Sequence, residues 1–145
     1  MSLKTSLCAA VAALSLSFPA LAQESSYTQG SVWFFSSIQV EPGQFENYMD
    51  YLSTNWKKVQ ELGKKEGVVV SYHVLSVNAQ RTGEPDLILA VESKDYLSTA
   101  QQLELQKKFE AFMAADQRKM EAASGERKVM RKLAGSMQLQ ELTLK

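Results

Sequence analysis

Cysteine is almost missing from this chain. The single one, Cys8, falls within the first 22 residues, which carry the marks of a secretory leader. With that leader removed, no thiol remains for a disulfide framework or a cysteine nucleophile, and stability must come from a packed core. Histidine is equally scarce: His73 stands alone. One imidazole without thiols cannot build the usual zinc, copper or iron–sulfur sites. No Asp-rich loop has the spacing of a calcium site either, so no metal is expected. The seven glycines are scattered and form neither G-x-x-x-x-G-K nor G-x-G-x-x-G, which removes the common phosphate cradles. No G-x-S-x-G elbow occurs. Charge of one sign is not in excess: 16 Lys and Arg face 16 Asp and Glu. Losing Lys4 with the leader leaves one net negative charge, and nothing here suits nucleic acid. The doublets Lys57-Lys58, Arg118-Lys119 and Arg131-Lys132 stand in helical patterns beside acids and read as solvated faces. Beyond the leader no apolar run reaches the roughly 18 residues of a membrane span, so no membrane contact is expected after cleavage.

What is present begins with that leader. Lys4 supplies a positive start, Ala9 to Phe18 an apolar run too short to cross a bilayer, and Pro19 a break. Ala20 and Ala22 then place small side chains ahead of Gln23, as a signal peptidase requires. Residues 1–22 are therefore expected to be a signal peptide and the protein to be exported, periplasmic or extracellular. Residues 23–30 are polar and read as a flexible lead-in. Residues 31–145 read as one domain; a mature chain of about 123 residues can bury roughly two-thirds of its unfolded surface.

Within that domain, Ser31–Val40 is β-branched and aromatic and predicts a strand. Val32, Phe34, Ile38 and Val40 share one face; Trp33, Phe35, Ser37 and Gln39 share the other. After Glu41-Pro42-Gly43, apolar residues at Phe45, Tyr48, Met49, Leu52, Trp56, Val59 and Leu62 recur at helical spacing, with Gly63 and Gly67 at the end. Val68–Asn78 and Asp86–Ser93 predict two strands of a hairpin. Lys94 to about Ala134 reads as helical, broken near Gly125, with a further short helix through Val129, Met130 and Leu133. Ser136–Lys145 predicts a last strand with Met137 and Leu139 on one face.

This order is βαββαβ, the split βαβ or ferredoxin-like unit: an α+β fold whose antiparallel sheet carries its helices on one face. The first strand is apolar on both faces, so Trp33 and Phe35 would remain bare on the helix-free side. A second copy across a two-fold axis is the simplest cover, and a homodimer is expected. The stretches SIQVEPGQFENYMDYL, PDLILAVES and RKLAGSMQLQEL resemble the dimeric α+β barrel superfamily, which includes antibiotic-biosynthesis-monooxygenase-like, stress-responsive barrel and NIPSNAP-like proteins. That resemblance implies two sheets facing each other around a cavity in each subunit. It implies no single activity, because members range from cofactor-free oxygenases to haem-degrading enzymes. Haem would need His73 as its axial ligand, and a strand is not where the haem-handling relatives place theirs, so no cofactor is expected.

The remaining chemistry is acid–base. If Val77 pairs with Ile88, His73 comes opposite Glu92, whose carboxylate would orient the imidazole for proton transfer; a slip of one residue puts Tyr72 there instead. The plainer account of His73 is a satisfied strand histidine, and that of Trp33 and Phe35 is packing. Three functions stay open. The first is a small exported homodimer that binds an apolar or aromatic molecule through Trp33, Phe35 and Tyr72. The second is a cofactor-independent oxygenase- or isomerase-like enzyme using His73 and Glu92. The third is a structural or partner-binding dimer without a cavity.

Overall fold

A computed structural model of the protein describes residues 24–78 and 81–145. The expected leader, Cys8 included, lies outside these residues. The elements run β1 (Tyr27–Val40), α1 (Phe45–Tyr51), a π-helical turn (Leu52–Trp56), α2 (Lys57–Lys65), β2 (Val69–Ser76) and β3 (Leu87–Ser93). They continue with α3 (Thr99–Met113), α4 (Gln117–Glu126), a 3-10 turn (Arg127–Val129) and β4 (Arg131–Leu144). The strands make one four-stranded antiparallel sheet in the order β2-β3-β1-β4. The fold is α+β, as the alternation of strand and helix patterns requires.

Strand alternation decides which residues meet the helices. Ile38 of β1 lies opposite Leu87 of β3, and Leu89 follows two residues on along the same face. Tyr48 and Leu52, one turn apart on the helical rod, close on all three and form the buried core. Burying each such side chain contributes roughly 1.5–3 kcal/mol, which makes this the firmest contact between the layers. The rod formed by α1 and α2 is held at its far end by two glycines. Gly67 takes φ +73° and lets the Val68 N–H reach the Gly63 carbonyl at 3.0 Å, a Schellman-type stop. Gly63 itself is inside α2 and buried, where a Cβ would come within 2.6 Å of Val69 Cγ2. Its lack of a side chain sets how closely the rod sits on β2. The π-helical turn has a local cause as well: Ser53 and Thr54 both donate side-chain hydroxyls to the Asp50 carbonyl, at 2.9 and 2.6 Å, and compete with the ordinary ladder there.

Several boundaries differ from those the sequence predicts. β1 starts at Tyr27, so the stretch expected as a flexible lead-in joins the sheet from that residue on, because β4 is equally long and pairs Tyr27 with Leu144. The helical stretch is broken at Ala114, not Gly125. Ala114 takes the left-handed conformation and Asp116 caps α4, its carboxylate accepting from the Lys119 N–H at 2.9 Å, while Gly125 stays helical. Of the short helix expected through Val129, Met130 and Leu133 only the 3-10 turn up to Val129 forms: β4 begins at Arg131, pairing Leu133 with Ile38 and Arg131 with Val40. The start of α3 has a full capping box, Ser98 with Gln101, and this excludes Lys94–Leu97 from the helix.

Candidate functional site

The face of the sheet turned away from Tyr48 and Leu52 gathers the residues with chemistry. The β2–β3 register pairs Leu75 with Ile88, His73 with Ala90 and Ser71 with Glu92, so the register with Val77 opposite Ile88 does not form. The shift is two residues, and two residues preserve the face. His73 and Glu92 therefore share a side as diagonal neighbours instead of an opposed pair. The hairpin sets this register: the Val77 N–H donates to the Asp86 carbonyl at 2.9 Å, and a bulge between Val69 and Ser71 takes up the slack at the other end.

β1 brings Trp33 across from Glu92 and Phe35 across from Ala90. Trp33 stacks on Phe35 with ring centroids 5.9 Å apart and on the His73 imidazole at 6.4 Å, the planes 15° and 21° apart. On the far side of β1, Met137 lies opposite Phe35 and Leu139 opposite Trp33. The result is an apolar shelf that crosses all four strands, with His73, Leu75, Met137 and Leu139 exposed. No helix of the fold contributes to it.

One end of the shelf is anionic. Glu92 accepts from Ser71 Oγ at 2.7 Å through one carboxylate oxygen and from Ser31 Oγ at 2.8 Å through the other. Those two hydrogen bonds, Ser71's first, hold its carboxyl below the usual range; partial burial opposes them and the His73 charge adds slightly to them. Ser31 Oγ also stands 3.0 Å from Glu141 Oε2. A hydroxyl carries one proton, so Ser31 serves one carboxylate at a time. Its position follows from a register shift between Gln29 and Val32 in the β1–β4 ladder, a bulge of the kind that re-aims a side chain. Gly30 keeps that bulge open: a Cβ there would stand 3.0 Å from Glu141 Oε2.

Tyr72, the third ligand-binding candidate, is not brought to this face. Alternation sends it to the helix side, where its phenol bonds to Glu61 and its ring meets Trp56 edge-on at 5.4 Å. The bond to Glu61 is the main reason its pKa is raised. Ser31, Ser71 and Glu141 are the functional residues that sequence reasoning missed. The signal for Glu141 was present, since period two places it with Met137 and Leu139; Ser71 shares a face with His73 but needed the true register to meet Glu92, and Ser31 needed the bulge in β1. Among the described residues no cluster of three or more His, Cys, Asp or Glu side chains could hold a metal ion. What the arrangement can do is receive a flat or apolar body on the shelf and a hydrogen-bond donor at Glu92 and Glu141.

The chain matches no family model, no curated protein and no solved structure.

Proposed function

We propose that the chain is an exported ferredoxin-like protein that pairs with a second copy through the open sheet face. The two copies would form a dimeric α+β barrel and enclose a chamber for a small apolar or aromatic molecule. One observation carries the reading: Trp33 and Phe35 stack in line with His73 on a face that the chain's own helices leave uncovered. Apolar patches of that extent mark interaction or ligand sites. The order β2-β3-β1-β4, read from the opposite edge as 4-1-3-2, supports the ferredoxin-like arrangement. A two-fold axis would set the same shelf against itself, the simplest closed contact for two equal surfaces. Export rests on the apolar run Ala9 to Phe18 and on Ala20 and Ala22.

The test has two steps. Light scattering behind size exclusion, at tens of micromolar, is expected to give twice the chain mass, and Met137→Lys to give the single mass with unchanged circular dichroism. A thermal-shift screen of small uncharged aromatics is then expected to find stabilisers whose effect disappears in Trp33→Ala. A stable monomer overturns the reading. A dimer that no compound stabilises, with its interface filled by side chains, favours the partner-binding alternative.

A second reading, a cofactor-independent oxygenase- or isomerase-like enzyme, is favoured by the common face of His73 and Glu92 and by their charge interaction. In that reading Glu92 acts on the imidazole through space, because both its oxygens are committed to serine hydroxyls. A substrate turned over equally well by His73→Ala would eliminate it.

A further inference from the structure

On the helix side, α3 and α4 stand away from the α1–α2 rod and leave a pocket of about 420 Å³, within the roughly 300–1,000 Å³ of small-molecule sites. Val59 lines it from α2, Leu105 and Phe109 from α3, and Met120 from α4, with Tyr51 and Arg127 at one end. None of its lining residues is acidic. α3 has no fully buried residue, so the apolar side chains it turns inward face space instead of a packed partner.

Arg127 is the single cation in this lining. Its guanidinium stands 4.9 Å from the centre of the Tyr51 ring, and Nη1 donates to the Ala123 carbonyl at 3.0 Å. Its Nε is buried and has no hydrogen-bond partner. The ion pairs among the described residues are Arg81–Glu84, Lys108–Glu66 and Lys145–Glu24, so Arg127 has no carboxylate opposite it. The neighbouring Arg131 also has a buried Nε without a partner, and both guanidiniums act on the Tyr48 phenol close by. Nε is closed to solvent and so to a ligand, but the guanidinium lines the pocket without a counter-ion, and a charged donor is matched best by an anionic acceptor. An apolar pocket with one unpaired guanidinium in its lining is complementary to one kind of molecule.

We propose that this pocket binds a small amphipathic carboxylate, with its apolar chain against Val59, Leu105, Phe109 and Met120 and its carboxylate on the Arg127 guanidinium. The site is separate from the open sheet face and does not depend on pairing. Neutral and cationic molecules of the same length fit the walls but leave the guanidinium unpaired, so charge selects among them.

Calorimetry on the full chain with decanoate, decanol and decyltrimethylammonium tests this. Decanoate is expected to bind at one site per chain, about tenfold or more tighter than decanol, and the cation more weakly still. Arg127→Met is expected to abolish the preference while leaving decanol unchanged. Ala123→Phe, which fills the pocket from an exposed helical position, is expected to weaken both decanoate and decanol at least tenfold. Met137→Lys, which targets the open face, is expected to leave decanoate binding intact; this separates a failure here from a failure of the dimer. Equal affinity for the three ligands, decanoate binding indifferent to both pocket variants, or no binding at millimolar ligand overturns the proposal. Should Arg127→Met fail to fold by circular dichroism, the ligand comparison and Ala123→Phe decide it.

Discussion

On the helix side of the sheet, Ile38, Leu87 and Leu89 are at most 7 % exposed; on the other side Leu75, Met137 and Leu139 are 46–55 % exposed. The side chains are of similar size and chemistry, but the buried ones stand on the central strands β1 and β3 and the exposed ones on the edge strands β2 and β4. Coverage adds to that difference: the α1–α2 rod returns over one face, and among the described residues no further element lies across the other. Period two says which residues share a face, but not whether that face is covered within the chain. Tyr48 and Leu52 answer for one side; among the described residues no helix answers for the other.

The sharpest way to break this comparison is to truncate one leucine on each side. Leu87→Ala is expected to cost about 3 kcal/mol, from a range of roughly 2–5 for buried leucines, whatever the protein concentration. Leu139→Ala in a lone chain is expected to cost under about 1 kcal/mol, because nearly half of its side chain already meets solvent. If two copies close over it, that cost rises with protein concentration, since truncation then weakens an association linked to folding. Urea melts of both variants at low and high micromolar concentration read the difference. A Leu139→Ala cost that stays small and constant would mean that the open face remains open.

A smaller contrast lies between the close-packed rod and the looser α4, and two glycines expose it. Adding a methyl at Gly63 drives it into Val69, 2.6 Å from Cγ2, and is expected to cost about 1–3 kcal/mol. Shortening Val69 to Ala in the same chain is expected to restore part of that. At Gly125, where a Cβ would meet nothing within 4 Å, Gly→Ala is expected to stabilise by up to about 1 kcal/mol from helix propensity alone. Thermal melts of the variants check the opposite signs.

The same two glycines show how far the sequence could be read. The pattern from Phe45 to Leu62 located the rod, and the two-sided apolar strand located both the core and the shelf, because periodicity is set by backbone geometry and survives any context. The strand register, the bulge that turns Ser31 toward Glu92 and the break at Ala114 were not legible. Each is decided by hydrogen bonds between segments far apart in sequence, such as Ser31 with Glu92 and Val77 with Asp86. A small alanine in the left-handed region carries no local mark at all. Asp116 did carry one, as an acceptor at the start of a helical pattern, but the preceding alanines and methionine hid it inside a longer helical stretch.

Titration distinguishes the two faces at opposite ends of the pH scale. On the helix side, burial raises the Tyr48 phenol above its ordinary value, with Arg131 opposing. A folded pKa above the unfolded one means that the contribution is complete below the unfolded value of 10.0 and is lost as pH rises through the folded value. Tyr48→Phe is therefore expected to flatten the alkaline decline in urea stability between pH 9 and 11, relative to the unaltered chain.

Glu92 works in the reverse sense and with the smallest effect. Its folded pKa lies below the unfolded reference of 4.5, mainly through Ser71 and then Ser31, so its contribution is complete above that reference and is lost as pH falls through the folded value. The carboxylate stands at a solvent-facing edge, where screening holds the gain well under about 1 kcal/mol. Glu92→Gln keeps an acceptor for one serine but removes the charge, and is expected to erase this acid-side slope while changing stability at pH 7 by only a few tenths of a kcal/mol. If a second copy seals the face, the same carboxylate loses its solvent, burial lifts its pKa back toward the reference, and the acid-side slope flattens at high protein concentration. Measured at two concentrations, Glu92 thus reports through protons on the same closure that Leu139 reports through packing.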